Sequence, residues 1–221
     1  LAVVAVHIFP QPHPGSSHQK TMAAGTGPNG GVSAEDGPTF MCSIGWDWIP
    51  TIRDRNTGIW QAVRLTSSGP VVLQNPYVTT RLPLPRTDTA DLTVQVTLSN
   101  ATDHAQSGVL KGQAEAEIRF EKTVALAPHE VRVLTFCPTN AASLHLRHPK
   151  LWWPNGYGLQ NLYHLKLQFE QGDTISDART TGFGVRQIGY AVTGSTNLTL
   201  VVNGVPIVAK GGDWGMDEAM K

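Results

Sequence analysis

An all-β fold, with antiparallel sheets packed face to face, is what this sequence predicts, and three observations carry that reading. Several segments alternate apolar and polar residues with a strict period of two, the mark of a strand with one buried face. The 221 residues include 22 Gly and 15 Pro, and these interrupt the alternating segments at near-regular spacing, as turns do. Thr and Val recur in short runs, and both suit a pleated, half-buried surface.

Taken in order, LAVVAVHIF (1–9) alternates loosely and predicts a strand. The thirty residues 11–40 are dense in Gly, Pro, Ser and His. A loop of that length is usually functional or mobile, with a disordered tether as the other reading. GIWQAVRLTSS (58–68) predicts another strand, closed by a turn at Ser68-Gly69-Pro70. VVLQNPYVTTRL (71–82) reads as two extended segments broken at Asn75-Pro76.

ADLTVQVTLSN (90–100) alternates most clearly, with Leu92, Val94, Val96 and Leu98 against Thr93, Gln95 and Thr97. KGQAEAEIRFEKTVAL (111–126) sets Ala114, Ala116, Ile118 and Phe120 against Glu115, Glu117 and Arg119, and its period favours one strand over a helix. HEVRVLTFCP (129–138), NLYHLKLQFEQGD (161–173) and DARTTGFGVRQIGY (177–190) each predict one more strand. Six or so strands between edges near 70 and 188 describe a sandwich of immunoglobulin-like build. The Cys…Trp…Cys pattern of antibody domains is absent, so the expectation concerns architecture alone.

LTLVVNGVPIVAKGGDW (198–214) differs from what precedes it. Two apolar segments flank Asn203-Gly204, a hairpin signal, and the second runs into Gly-Gly and a helix start at MDEAMK. A strand leading into a helix suggests the opening of a βα fold. The first nine residues lack a basic n-region and a cleavage site, so they do not read as a signal peptide; both ends read as cut from something longer.

Seventeen basic and seventeen acidic residues cancel, which leaves no basic excess to attract nucleic acid or an anionic membrane. No apolar run approaches the ~20 residues of a membrane span. Cys42 and Cys137 lie far apart and read as free buried thiols, since spacing alone gives no pairing. No CxxC, HExxH, EF-hand or GxSxG pattern occurs, so no metal, no other cofactor and no nucleophile elbow are expected. Asn100-Ala101-Thr102 and Asn197-Leu198-Thr199 match the glycosylation sequon. The compartment is left open; a periplasmic or secreted location is compatible with the sequence.

Five of the six tryptophans sit in GWDWIP (45–50), LWWPNG (151–156) and GDWG (212–215), beside Asp, Gly and Pro. GWDWIPTIRDRNTGIWQAV, LWWPNGYGLQNLY, TGFGVRQI and VNGVPIVAKGGDW, in this order and spacing, resemble glycoside hydrolase family 2 enzymes. The resemblance covers nearly the whole chain and is strongest toward the exo-β-glucosaminidase and endo-β-mannosidase branch, with β-mannosidase close by. It implies that residues 1–67 end a jelly-roll sugar-binding domain and 68–188 form the sandwich. Residues 189–221 would then open a (β/α)8 barrel with its first strand.

A carboxylate between indoles can accept bonds from sugar hydroxyls while an indole face packs on a pyranose. On the resemblance, Trp46 and Asp47 are substrate contacts; on chemistry alone, a structural tryptophan corner is the competing reading. Arg53, Asp54 and Arg55 read as a structural ion-pair group. Trp214 and Asp217 follow the first barrel strand, where such barrels place substrate contacts. Asp217 is equally readable as a helix cap. On the resemblance, Trp152 and Trp153 are a structural brace where domains meet, with a sugar platform as the other reading. Retaining glycosidases need two carboxyl groups ~5–5.5 Å apart, and in the family both come from later barrel strands, so no residue here is expected to be catalytic. The reading is a non-catalytic central segment of an enzyme acting on β-linked glucosamine or mannose, its partners a β-linked glycan and its own barrel. The alternative is a stand-alone carbohydrate-binding or adhesion module.

Overall fold

The computed structural model describes residues 3–7, 16–17, 31–32, 59, 61–191 and 199–212. The chain divides into two units, Thr66–Lys210 and a second made of Leu1–Leu65 with Gly211–Lys221. In the second unit a short antiparallel ladder joins β1 (Ser16–Ser17) to β2 (Gly31–Val32). The loop predicted over 11–40 therefore contains a pinned pair of segments.

The larger unit is built from strands, with a single 3-10 turn over Ala142–Leu144 and no α-helix among the described residues. One sheet runs in the order β3 (Val71–Arg81), β4 (Thr89–Asn100), β7 (Val131–Phe136), with β8 (His145–Arg147) on the other end of β4. The facing sheet runs β10 (Thr174–Phe183), β9 (Tyr163–Gln171), β5 (Gln106–Ala114), β6 (Ile118–Leu126). All pairings within these sheets are antiparallel. The predicted inward face of β4, Leu92 to Leu98, is buried against Leu165, Leu167 and Phe169 of β9 and Leu110 of β5 in one apolar cluster. Phe120 and Phe136 join the two sheets, with ring centroids 4.5 Å apart and planes tilted by 34°. Full burial of a side chain such as Phe169 is worth roughly 1.5–3 kcal/mol, so this shared face holds the sheets together.

The edge of β3 is closed by side chains. A bulge in β10 between Ile175 and Asp177 leaves Ser176 without a ladder partner and turns it inward. Ser176 Oγ accepts from Val71 N and donates to Val71 O, both at 2.8 Å. Asp177 Oδ2 accepts from Leu73 N at 2.8 Å, and Arg179 Nε donates to Leu73 O at 3.1 Å while its guanidinium lies 3.2 Å from the same carboxylate. Ser176 and Asp177 are only 5% and 8% exposed, so the sheets are joined by a buried polar seam as well as by apolar packing.

Several expectations change. No strand forms over Val3–His7 or over the described part of 58–68. Leu65 is 94% exposed; an alternating segment becomes a strand only where a ladder and a surface to cover exist, and the described residues supply neither. The two segments predicted over 71–82 form the single strand β3, because Asn75 takes a positive φ of 49° and absorbs the break as a register shift between Gln74 and Tyr77. The single strand predicted over 111–126 is a hairpin: Glu115 at φ 49° starts a turn, Ala116 is exposed, and β5 reaches back to Gln106. The strand predicted over 177–190 ends at Phe183, and Ile188 begins a separate sheet. Cys137 is free, as read, but half-exposed rather than buried, while Cys42 lies outside the described residues.

That third sheet is a meander of β11 (Ile188–Ala191), β12 (Thr199–Val202) and β13 (Val205–Ile207). The predicted hairpin is present, with Val202 opposite Val205 across Asn203-Gly204.

Candidate functional site

Trp46, Asp47, Trp214 and Asp217, the four predicted sugar contacts, lie outside the described residues, as do Arg53, Asp54, Arg55, Asn197 and the MDEAMK helix start. The described part of the tryptophan pattern is the 151–161 loop, and its geometry is well determined by hydrogen bonds. Leu151 bridges Val185 and Trp152 bridges Gln160. Trp152 N donates to Val185 O at 3.0 Å, and Trp153 N donates to Leu159 O at 2.9 Å. Tyr157 N closes the Pro154 turn at 3.0 Å, with Gly156 at φ 84° supplying the left-handed step. The amide of Gln160 donates to Trp153 O and Gly158 O at 3.1 and 2.8 Å, and that of Asn161 donates to Leu151 O at 2.9 Å.

Both indoles rest on glycines. A Cβ on Gly184 would stand 2.7 Å from Trp152 Cβ, and one on Gly158 would stand 2.8 Å from the Trp153 ring. The Arg186 guanidinium carbon lies 4.1 Å from the Trp152 ring centroid, a cation–π contact. One face of the Trp152 indole is therefore covered by Arg186 and closed to a sugar.

The brace meets the hairpin of the third sheet. Asn203 and Gly204 take φ of 52° and 83°, the double left-handed geometry that Asn-Gly favours in two-residue hairpins. Asn203 is 3% exposed. Its N–H donates to Gln187 O at 2.8 Å, its Oδ1 accepts from Gln187 N at 2.9 Å, and its Nδ2 donates to Trp152 O at 3.0 Å. Gln187 Oε1 in turn accepts from Leu82 N at 2.7 Å. Beyond β13, Val208 N donates to the Tyr157 hydroxyl at 2.9 Å. Two motifs read separately in the sequence, LWWPNGYG and VNGVPIV, are thus one joint. Sequence reasoning took Asn203 for a turn residue and passed over Gln187 and Tyr157. The only signal was an Asn in a turn that Gly alone would satisfy.

Three open grooves among the described residues of this unit carry little acidity. One of about 430 Å³ is lined by Tyr77, Thr79, Thr181, Arg186, Gln187 and Ile188, among others, with no carboxylate. One of about 620 Å³ contains Asp91, whose Oδ1 lies 2.6 Å from His145 Nδ1, and a third contains Asp88. None of the three brings together the two carboxyl groups that a glycosidase needs. Burial raises the Tyr163 phenol above its ordinary pKa, against a smaller opposite pull from the Lys150 N–H that it accepts at 2.9 Å. Hydrogen bonds from Thr139 and Asn140 lower the pKa of the half-exposed Cys137 thiol. Among the described residues no three His, Cys, Asp or Glu side chains group as metal ligands would, and no helix is long and apolar enough to cross a membrane.

The sequon at Asn100 is fully engaged. Asn100 is 2% exposed, and its Nδ2 donates to His104 O and Ala127 O at 2.7 and 2.8 Å. Its Oδ1 accepts from Thr102 N and Thr102 Oγ1 at 3.0 and 2.8 Å.

This fold and loop pattern correspond to a known class. Residues 71–186, more than half of the chain, match the family model described as Glycosyl hydrolases family 2, and the chain belongs to that family. It is 37% identical over 185 residues to an exo-beta-D-glucosaminidase of Streptomyces avermitilis, covering 83% of this chain and 20% of that protein. It is 30% identical over 228 residues to a mannosylglycoprotein endo-beta-mannosidase of Lilium longiflorum, covering 99% of this chain and 23% of the relative. Among solved structures, the exo-chitosanase CsxA of Amycolatopsis orientalis matches with a TM-score of 0.62 at 33% identity, over 70% of this chain and 17% of that one. The chain thus spans about a fifth of the length of the relatives it matches.

Proposed function

We propose that this chain is the non-catalytic central segment of a family 2 retaining β-glycosidase acting on β-linked glucosamine or mannose residues. The observation that carries the proposal is the family match over 71–186, together with relatives named as glucosaminidases and a mannosidase. In this reading residues 68–188 are an immunoglobulin-like sandwich, 1–67 the end of a jelly-roll sugar-binding domain and 189–221 the start of a (β/α)8 barrel. Trp46 and Asp47 contact the sugar from the jelly-roll segment, Trp214 and Asp217 from the barrel segment. Three grooves among the described residues hold at most one carboxylate each, one fewer than the pair that glycoside cleavage needs.

The test compares two polypeptides on p-nitrophenyl β-glucosaminide and β-mannoside. This chain alone is expected to release no nitrophenol. The same chain extended along its reading frame in both directions, to complete the jelly roll and add the ~250 residues of a typical barrel, is expected to hydrolyse at least one of the two. Turnover by the chain alone overturns the division of labour. An inactive longer polypeptide, or a reading frame with no barrel, overturns the enzyme reading in favour of a stand-alone sugar-binding module.

A further inference from the structure

The joint between the third sheet and the sandwich holds one backbone group that belongs to neither. β13 stops at Ile207, and the next amide, Val208 N, is taken by the Tyr157 hydroxyl 51 residues earlier in the chain. The Val208 side chain is exposed, so apolar burial does little to hold this point. A strand end of that kind ordinarily frays. The Tyr157 hydroxyl is delivered from a rigid base, because the 151–161 loop is pinned by Gln160, Asn161 and the Arg186–Trp152 contact. Asn203 fixes the other end of β13 by bonding Gln187 N and Trp152 O.

We infer that Tyr157 and Asn203 are positioning residues: they hold the chain at Val208 and so set where the segment leading to Trp214 and Asp217 begins. The part of this inference that concerns sugar rests on the function proposed above. Neither residue touches substrate in this account; each acts on the backbone that carries the substrate contacts.

Two variants isolate the effect. Tyr157→Phe removes only the hydroxyl. Asn203→Gly keeps the left-handed turn, which Gly adopts freely, and removes both side-chain bonds. Hydrogen exchange of the chain is expected to show the Val208 amide exchanging about tenfold faster in Tyr157→Phe, as loss of one hydrogen bond implies. Protection in β4 and β9 stays as in the wild type. In the complete polypeptide, KM for the hydrolysed glycoside is expected to rise about three- to tenfold in both variants, with kcat within about twofold. A purely structural role would instead speed exchange throughout the unit and leave KM alone. Unchanged protection at Val208 overturns the inference, as does an unchanged KM in a variant whose exchange has risen. If the wild-type polypeptide hydrolyses neither sugar, the proposed function fails, and the exchange result alone decides whether these two residues hold the segment.

Discussion

The seam between the two sheets and the joint to the third sheet use the same device and differ in what surrounds it. At the seam, Ser176 and Asp177 satisfy the backbone of β3 in place of a neighbouring strand, beside an apolar cluster drawn from both sheets. At the joint, Asn203 satisfies Gln187 and Trp152, but the strands it ties down are three or four residues long and leave Ile188, Tyr190 and Val205 exposed. A buried backbone group left unpaired costs its full desolvation, whereas one at the surface is rescued by water. The seam, backed by the shared apolar core, is expected to govern stability, and the joint, whose Val208 amide is bonded at the surface, to govern position.

The largest effect that would break this contrast is at Asp177. Asp177→Ala removes the acceptor for Leu73 N and the partner of Arg179, and is expected to cost about 3 kcal/mol in urea unfolding. Asp177→Asn retains an acceptor oxygen and should recover part of that loss. A smaller loss at Asp177→Ala than at Asn203→Gly would reverse the ranking of the two regions.

Asn100 extends the comparison to a buried amide outside both. Four hydrogen bonds occupy it, so Asn100→Ala is expected to cost about 2 kcal/mol. Expressed in a glycosylating host, folded chain should carry no glycan at this position by peptide mass mapping. An occupied, folded Asn100 would show that the amide is not needed where the structure puts it.

Tyr163 sharpens the contrast through pH. Its folded pKa is raised above the ordinary value of 10.0, chiefly by burial. Its contribution to stability is then complete below about pH 10 and is lost as the pH rises through the folded value, because the unfolded chain gives up the proton first. Tyr163→Phe keeps the stack on Phe183, whose centroid lies 5.5 Å away, but strands the Lys150 amide. A loss of about 1 kcal/mol at pH 7, with a shallower fall above pH 10 than the wild type, is the expected pattern. At the small end, Lys111→Met breaks an exposed pair with Glu170 and should leave the melting temperature unchanged at physiological salt.

The sandwich was legible where burial alone decides. The alternation in 90–100 named the inward residues because one face of a strand must be dry. It failed where a single backbone torsion overrides the pattern: Asn75 and Glu115, both at φ 49°, turned a predicted break into a bulge and a predicted strand into a hairpin. It failed again over Val3–His7 and 61–68, where alternation exists without a ladder among the described residues. The polar seam was hidden, since Ser-Asp in a strand gives no sign that a bulge will turn both inward. The joint was half legible: Asn203-Gly204 marked the turn, but the partners of Asn203 lie 16 and 51 positions away. The proposed sugar contacts rest on chemistry alone, indole beside carboxylate, and they fall outside the described residues.

The proposed function requires above all that Asp47 and Asp217 serve one sugar-binding pocket. The direct measurement is a double-mutant cycle in the complete polypeptide, with Asp47→Asn, Asp217→Asn and both together, read as the Kd of a non-hydrolysed β-glucosaminide or β-mannoside analogue. The account predicts that each single change weakens binding and that the pair departs from additivity by at least about 0.5 kcal/mol, as groups sharing one ligand do. Strictly additive losses, or no loss at one of the two, would contradict it.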